Sequence, residues 1–220
     1  TSDRTRAVSV GGAKHPGVYT TDIEFVTIAS TGNAQDFNGD ITVARGGMGG
    51  VSNGTRGIFA GGYVNPGGGL SQKTEIDYIT IQSTGVNAQD FGDLSGTRQQ
   101  PASMCSSTRG IFSGGRVAPA YYNLIEFVTM STLGNVADFG DLTVSRGMTA
   151  NGITSNSIRG LTMGGYNGSA YTDYIDYITI ATLGDAIDFG DLSAGRGNGA
   201  GVASSTRCVM MGGTAPGYVT

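Results

Sequence analysis

The chain has 220 residues, 39 of them glycine, no tryptophan and a formal net charge of −4. Its 38% hydrophobic residues fall in phased runs, which excludes a disordered polymer, and its glycines lack the three-residue period of collagen. There is no basic excess to meet nucleic acid, and no run approaches the roughly 18 apolar residues of a membrane-crossing helix.

The first predicted element starts at Arg6 and closes on a glycine pair at Gly11. The same text restarts at Arg56, Arg109, Arg159 and Arg207, with its glycine pair starting at Gly61, Gly114, Gly164 and Gly212. Both series advance by 50, 53, 50 and 48 residues, and identity kept in register marks a repeat architecture. A short apolar run ending in Gly-Gly predicts a strand with a tight exit, because glycine accepts positive φ; this is strand b. After a variable loop comes strand c: IEFVTI from Ile23, IDYITI from Ile76, IEFVTM from Ile125 and IDYITI from Ile175. These runs are β-branched and aromatic, with one embedded acid. In the second copy Ile76, Tyr78 and Thr80 point one way and Asp77, Ile79 and Ile81 the other, so the strand is apolar on both faces and suits a sheet packed between two neighbours.

Next come DFNGDI from Asp36 and DFGDL from Asp90, Asp138 and Asp188, a short strand d with a glycine bend. A second arginine follows each (Arg45, Arg98, Arg146, Arg196), and then a run of small residues, strand a, such as Gly46, Gly47, Gly49 and Gly50. Small side chains suit the most crowded, innermost strand. Four short strands in about 50 residues, with turn signals at each junction, predict an all-β protein built as a β-propeller of four-stranded blades. No segment has sustained helical periodicity. The units run approximately over 4–53, 54–106, 107–156 and 157–204, with a partial fifth over 205–220. Residues 1–220 therefore read as a single propeller domain or as a segment of a larger, five- to seven-bladed one. The text opens at strand b and stops just after the fifth b.

Three acids recur per unit, accounting for 12 of the 17 Asp and Glu, and the two arginine series account for 9 of the 13 Lys and Arg. A catalytic site rarely repeats four times, so this charge is expected to form an Asp–Arg and Asp–backbone network pinning the turns within each blade. The D-F-G-D spacing lacks the glycine turn and closing glutamate of an EF-hand loop. The one histidine, His15, lies in a variable loop, which leaves no ligand set for copper and no general base for a serine nucleophile. No catalytic residue, metal or cofactor is expected, and the chain reads as a non-enzyme. Cys105 and Cys208 occupy different repeat slots and read as free thiols rather than a bridge.

An arginine, an apolar run ending Gly-Gly, a variable loop, an apolar run with an acid and an aromatic last strand together resemble the kelch repeat, over essentially the whole chain. Where that family usually carries tryptophan in the last strand, this chain has Phe37, Phe91, Phe139 and Phe189. The wording IDYITI…DFGDL…R is most similar to kelch-like repeats in virion proteins of marine bacteriophages, especially those infecting cyanobacteria. The resemblance implies a structural or adhesive virion module, a fibre, decoration or tail-associated protein. Its partners would be other virion proteins or copies of itself, with a host-surface glycan or protein as a further one. The alternatives are a cellular or secreted kelch-type protein-interaction domain and, further off, a propeller enzyme of oxidase type.

The variable b–c loops, over 13–22, 63–75, 116–124 and 166–174, are where recognition is expected on a constant scaffold. They carry seven of the ten tyrosines, whose flat faces and polar tips suit sugar or protein contacts. The candidate binding residues are Tyr19, Tyr63, Asn65, Tyr121, Tyr122, Tyr166, Asn167 and Tyr171.

Overall fold

The computed structural model describes residues 1–65, 69–149 and 154–215. Among these there is no helix; the chain is all-β, a succession of small antiparallel sheets in which strand a of one sequence repeat joins strands b, c and d of the next. A structural unit therefore runs a-b-c-d, one strand out of phase with the repeat, and units 1 to 3 carry a two-stranded ribbon besides. Unit 1 contains β1 (Arg6–Val10), β2 (Ala13–Lys14), β3 (Val18–Tyr19), β4 (Asp22–Thr27) and β5 (Gln35–Asp40). Unit 2 contains β6 (Gly49–Ser52), β7 (Arg56–Ala60), β8 (Tyr63–Val64), β9 (Ser71–Gln72), β10 (Glu75–Thr80) and β11 (Gln89–Asp93). Unit 3 contains β12 (Ala102–Cys105), β13 (Arg109–Ser113), β14 (Arg116–Val117), β15 (Ala120–Tyr121), β16 (Leu124–Thr129) and β17 (Ala137–Asp141). Unit 4 contains β18 (Arg159–Met163), β19 (Tyr174–Thr179) and β20 (Ile187–Asp191), and unit 5 contains β21 (Ala200–Ala203) and β22 (Cys208–Met211).

The expected order a-b-c-d is seen in full in units 2 and 3, as β6-β7-β10-β11 and β12-β13-β16-β17. In unit 4 most of strand a falls on residues 150–153, outside the described residues. Strand c is central in its sheet and strand d breaks register against it: Ile76 faces Gly92 and Asp77 faces Asp90, so Phe91 is the extra residue of a bulge. The bulge turns the phenyl ring into the space between sheets, and units 3 and 4 repeat it. The reading that the chain opens at strand b is corrected by the structure. Thr1–Asp3 runs antiparallel to β1, with Ser2 bridged to Ala7 and Val8 N–H donating to the Thr1 carbonyl at 2.7 Å, in the strand-a position.

The a–b turn has a cause that the repeat spacing did not reveal. A short polar side chain three residues before each opening arginine (Asp3, Asn53, Ser106, Asn156, Ser204) accepts the N–H groups of the next-but-one residue and of the arginine itself. The side chain mimics a backbone turn and starts strand b in register.

The core lies between sheets rather than within them. One cluster joins Phe37, Ile23 and Phe25 of unit 1 to Phe59, Ile79, Ile81 and Ala88 of unit 2. A second joins Phe91, Ile58 and Ile76 to Phe112, Val128 and Met130, and a third joins Phe139, Ile111 and Ile125 to Ile178, Ile180 and Ala186. Strand c supplies residues to both faces, as its alternation requires.

The Gly-Gly pairs have a specific duty. Gly114 has φ +62, and a Cβ there would meet the Arg146 carbonyl oxygen at 2.4 Å, while the Gly115 N–H donates to that same carbonyl at 3.0 Å. The end of each unit is thereby tied back to its own strand b. Gly54→Ala, at φ +86 with nothing within 4 Å of the added Cβ, is expected to lose only the conformational part, about 1–2 kcal/mol, and Gly114→Ala is expected to cost more because its Cβ also meets the carbonyl. Urea midpoints of the two variants check this, and equal losses would remove the close-approach explanation.

Candidate functional site

The charged repeat residues come first, because the structure removes them from contention in a way the sequence did not foresee. Arg45 pairs with Asp77 at 3.0 Å, Arg146 with Asp176 at 3.0 Å, and Arg98 with Glu126. Each pair joins the end of one unit to strand c of the next, which corrects the Asp–Arg part of the expected network; the Asp–backbone part does pin a bend within the unit, Asp36, Asp90 and Asp188 each accepting the N–H two residues on. All six residues are buried. Burial pushes the Arg98 guanidinium down to about 10 and also lowers Arg146, against the upward pull of Asp176. The preceding unit holds the acid a second time: Thr143 donates its N–H and its hydroxyl to Asp176, and Thr42 does the same to Asp77. The opening arginines also cross between units. Nη1 of Arg6, Arg56 and Arg109 donates to the carbonyls of Ile81, Met130 and Ile180, each at 2.8 Å. Their guanidinium groups stack 4.0–4.8 Å over Phe25, Tyr78 and Phe127.

Two places remain that could hold a ligand. The first is a cavity of about 730 Å³ on which strand a of every unit converges; Thr1, Ser2, Gly47, Ser103, Ser155 and Val202 line it. Among the described residues its lining has no carboxylate, imidazole, thiol or guanidinium, and it offers hydroxyls and backbone beside apolar side chains such as Met48 and Phe59. Among the described residues no three His, Cys, Asp or Glu side chains are grouped to hold a metal ion. Cys105, whose buried thiol is shifted up by desolvation and donates to the Ser52 carbonyl, and Cys208 are both free.

The second place is the loop face. The b–c loops of units 1 to 3 are not irregular: β2–β3, β8–β9 and β14–β15 are two-residue ribbons. The loops of units 2, 3 and 4 are each anchored on the preceding unit, Tyr63 bridging to Gly46, Arg116 to Gln99 and Tyr166 to Gly147. The arrangement brings the candidate tyrosines together in sets. The Tyr19 and Tyr63 rings meet edge-on with centroids 5.6 Å apart; Tyr121 meets Tyr166 at 5.5 Å, and Tyr166 meets Tyr171 at 5.1 Å. All five are half-buried, packed against one another with one edge open to solvent. Burial, and then the neighbouring Tyr63, push the Tyr19 phenol up, so it stays a neutral donor.

Tyr122 lies lower, its backbone tying Gly115 to Arg146, and is a scaffold position. Asn167 is committed to its own turn, its Oδ1 accepting the N–H groups of Ser169 and Ala170. Asn65 is exposed next to residues 66–68, which lie outside the described residues, as does the part of the 63–75 loop they form. The sequence reading missed Arg116, which stands in the tyrosine slot of unit 3. Its Nη1 reaches the Tyr121 hydroxyl at 3.5 Å, and with the Gln99 amide turned toward it, Gln99 accepts from Nε at 2.8 Å. The signal was available: Arg116 occupies the position of Tyr63 and Tyr166, directly after Gly-Gly.

The loop face thus carries a pair and a triplet of tyrosines packed edge to face, with a held guanidinium against Tyr121 of the triplet. No helix among the described residues is long and apolar enough to cross a membrane, which says nothing of a β-barrel. Comparison of the sequence with protein-family models and with curated proteins finds no match.

Proposed function

We propose that the chain is a kelch-like β-propeller acting as a non-enzymatic recognition module, and that its b–c loop face is the binding surface. The convergence of strand a from five units on one cavity supports the propeller reading. The recognition reading is carried by a single observation: the tyrosines absent from the repeat core are gathered on one loop face, edge-exposed and already held by each other. Preorganised aromatic rims lose little conformational entropy on binding, and tyrosine hydroxyls with a fixed guanidinium against Tyr121 suit a hydroxyl-rich or acidic glycan. The setting in a phage virion rests on the resemblance of the repeat text to marine phage proteins; a cellular or secreted interaction domain would present the same face to a protein.

The experiment is binding of the purified chain to cyanobacterial cells and to a glycan array, wild type against Tyr121→Ala/Tyr166→Ala. The variant is expected to lose about tenfold or more in affinity with an unchanged thermal midpoint. Undiminished binding would move the site elsewhere, and binding to a protein but to neither cells nor glycans would favour the interaction-domain reading.

A further inference from the structure

We infer that the outer half of unit 4, together with the open edge of β22, is a docking site for a β-hairpin of the chain's own c–d type: an extended strand with a carboxylate at its second position, apolar residues at its fourth and sixth, and a glycine-containing turn. The inference stands on the three internal unit interfaces and does not depend on the propeller or virion readings.

Each internal interface is made by the same set of links. The arginine that ends one unit pairs with the acid of the next strand c. The opening arginine donates to a carbonyl at the end of that strand. A turn residue of the next unit (Asn87, Asn135 or Asp185) accepts the N–H of the last aspartate of strand d (Asp40, Asp93 or Asp141) at 3.0–3.1 Å. The N–H of Gly85, Gly134 or Gly184 donates to the carbonyl of Phe37, Phe91 or Phe139. The phenyl ring is covered by two strand-c side chains and one from the c–d turn, as in Ile79, Ile81 and Ala88 over Phe37. Everything the next unit contributes to these links comes from its strand c and c–d turn.

Unit 4 presents every donor-side member of this set. Arg159 and Arg196 correspond to Arg109 and Arg146, and neither side chain has an ion-pair or hydrogen-bond partner among the described residues. Phe189 corresponds to Phe139 but is 51% exposed rather than 3%. A groove of about 250 Å³, lined by Leu161, Ile175, Phe189, Arg159 and Cys208 among others, lies where the covering side chains would stand. Next to it β22 pairs, among the described residues, with β21 alone, while its counterparts β7 and β13 each pair with a strand c as well. Val209 and Met211 on that edge are 46% and 51% exposed. The site is therefore a free strand edge beside an apolar slot lined by the Arg159 side chain, with Arg196, unpaired among the described residues, at the end of the same unit, the arrangement that strand addition uses.

The occupant is a hairpin and not unit 1 of a second copy. The strand c of unit 1 is already flanked by β1 and β5, so it has no edge left for β22, and β1 would collide with β22.

The probe is a fluorescein-labelled synthetic peptide with the sequence of residues 74–95, titrated with the purified chain and read by fluorescence polarisation. Saturable binding in the micromolar range is expected, weakened about tenfold or more by Asp77→Asn in the peptide or Arg196→Gln in the protein, and not weakened further when both are changed. Because Arg196 is only half-buried, the variant is expected to keep its thermal midpoint; Phe189→Ser supplies a second, independent block. No binding up to about 100 µM, equal binding to both protein variants, or self-association of the chain that the peptide does not displace would each overturn the inference.

Discussion

Arg146→Ala is expected to destabilise the chain by about 3–5 kcal/mol, as is Arg45→Ala, whose pair with Asp77 has the same distance and burial. Arg146 is fully buried and Asp176 is 1% exposed, so removal of the guanidinium leaves a carboxylate in the interior with only Thr143 to solvate it. Asp176→Asn alone should cost a similar amount, since it leaves the cation unpaired while its amide keeps an acceptor for Thr143. The informative variant is the double, Arg146→Met with Asp176→Asn. Neither charge is then left alone, the methionine fills the channel of the arginine stem, and the Thr143 N–H retains its acceptor. The double is expected to be more stable than either single variant, because much of a buried pair's apparent worth is the penalty of stranding one partner. Urea unfolding of the wild type, Arg146→Met, Asp176→Asn and the double variant measures this as a coupling energy. Strict additivity would show that the arginine and the acid act independently, contrary to the 3.0 Å contact. Since the pair joins units 3 and 4, the single variants should also broaden the transition, as expected when one interface of a repeat array weakens.

Much of the fold was legible because it is written several times. Strand b, strand c and strand d could be read from period, alternation and glycine pairs, and each appears in the structure near the expected place. What was not legible is what lies between units. The embedded acid and the second arginine are both obvious in the sequence, but the choice of a partner in the following unit is set by how one sheet is rotated on the next, which no local pattern encodes. The left-handed position two residues after the second arginine is another case. Gly47 and Asn198 advertise positive φ, whereas Gln100 and Met148 adopt φ 55° at the same slot and do not. There the scaffold imposes the conformation: the Gln100 N–H reaches the Gly47 carbonyl at 2.8 Å, and the Asn198 N–H reaches the Met148 carbonyl at 2.7 Å. In the loop face, tyrosine content was legible and its pairing was not, because Tyr19 meets Tyr63, and Tyr121 meets Tyr166, across units some 45 residues apart. Arg116 was hidden by its dissimilarity to the tyrosines whose slot it shares.

Phe91 and Phe189 offer a way to weigh an inter-unit interface directly, since the sequence makes them equivalent. Each ring stacks edge-on against the aromatic of its own strand c, Tyr78 at 6.0 Å for Phe91 and Tyr177 at 6.1 Å for Phe189. Each also has an opening arginine near it, at 5.9 and 6.0 Å. The contacts within the unit are therefore matched, and the difference is the neighbour: Phe91 is 2% exposed and Phe189 is 51% exposed. Phe91→Ala removes a ring that the cluster with Val128 and Met130 closes over, and is expected to cost about 3–5 kcal/mol. Phe189→Ala loses the aromatic pair and half the buried area, about 1–1.5 kcal/mol. The difference between the two, measured by urea denaturation, isolates what one unit gains from having its outer face covered. A peptide that fills the slot on unit 4 should raise the cost of Phe189→Ala toward that of Phe91→Ala. If the two substitutions cost the same without peptide, the ring's stabilisation comes from within its own sheet, and the inter-sheet clusters are not where this chain's stability resides.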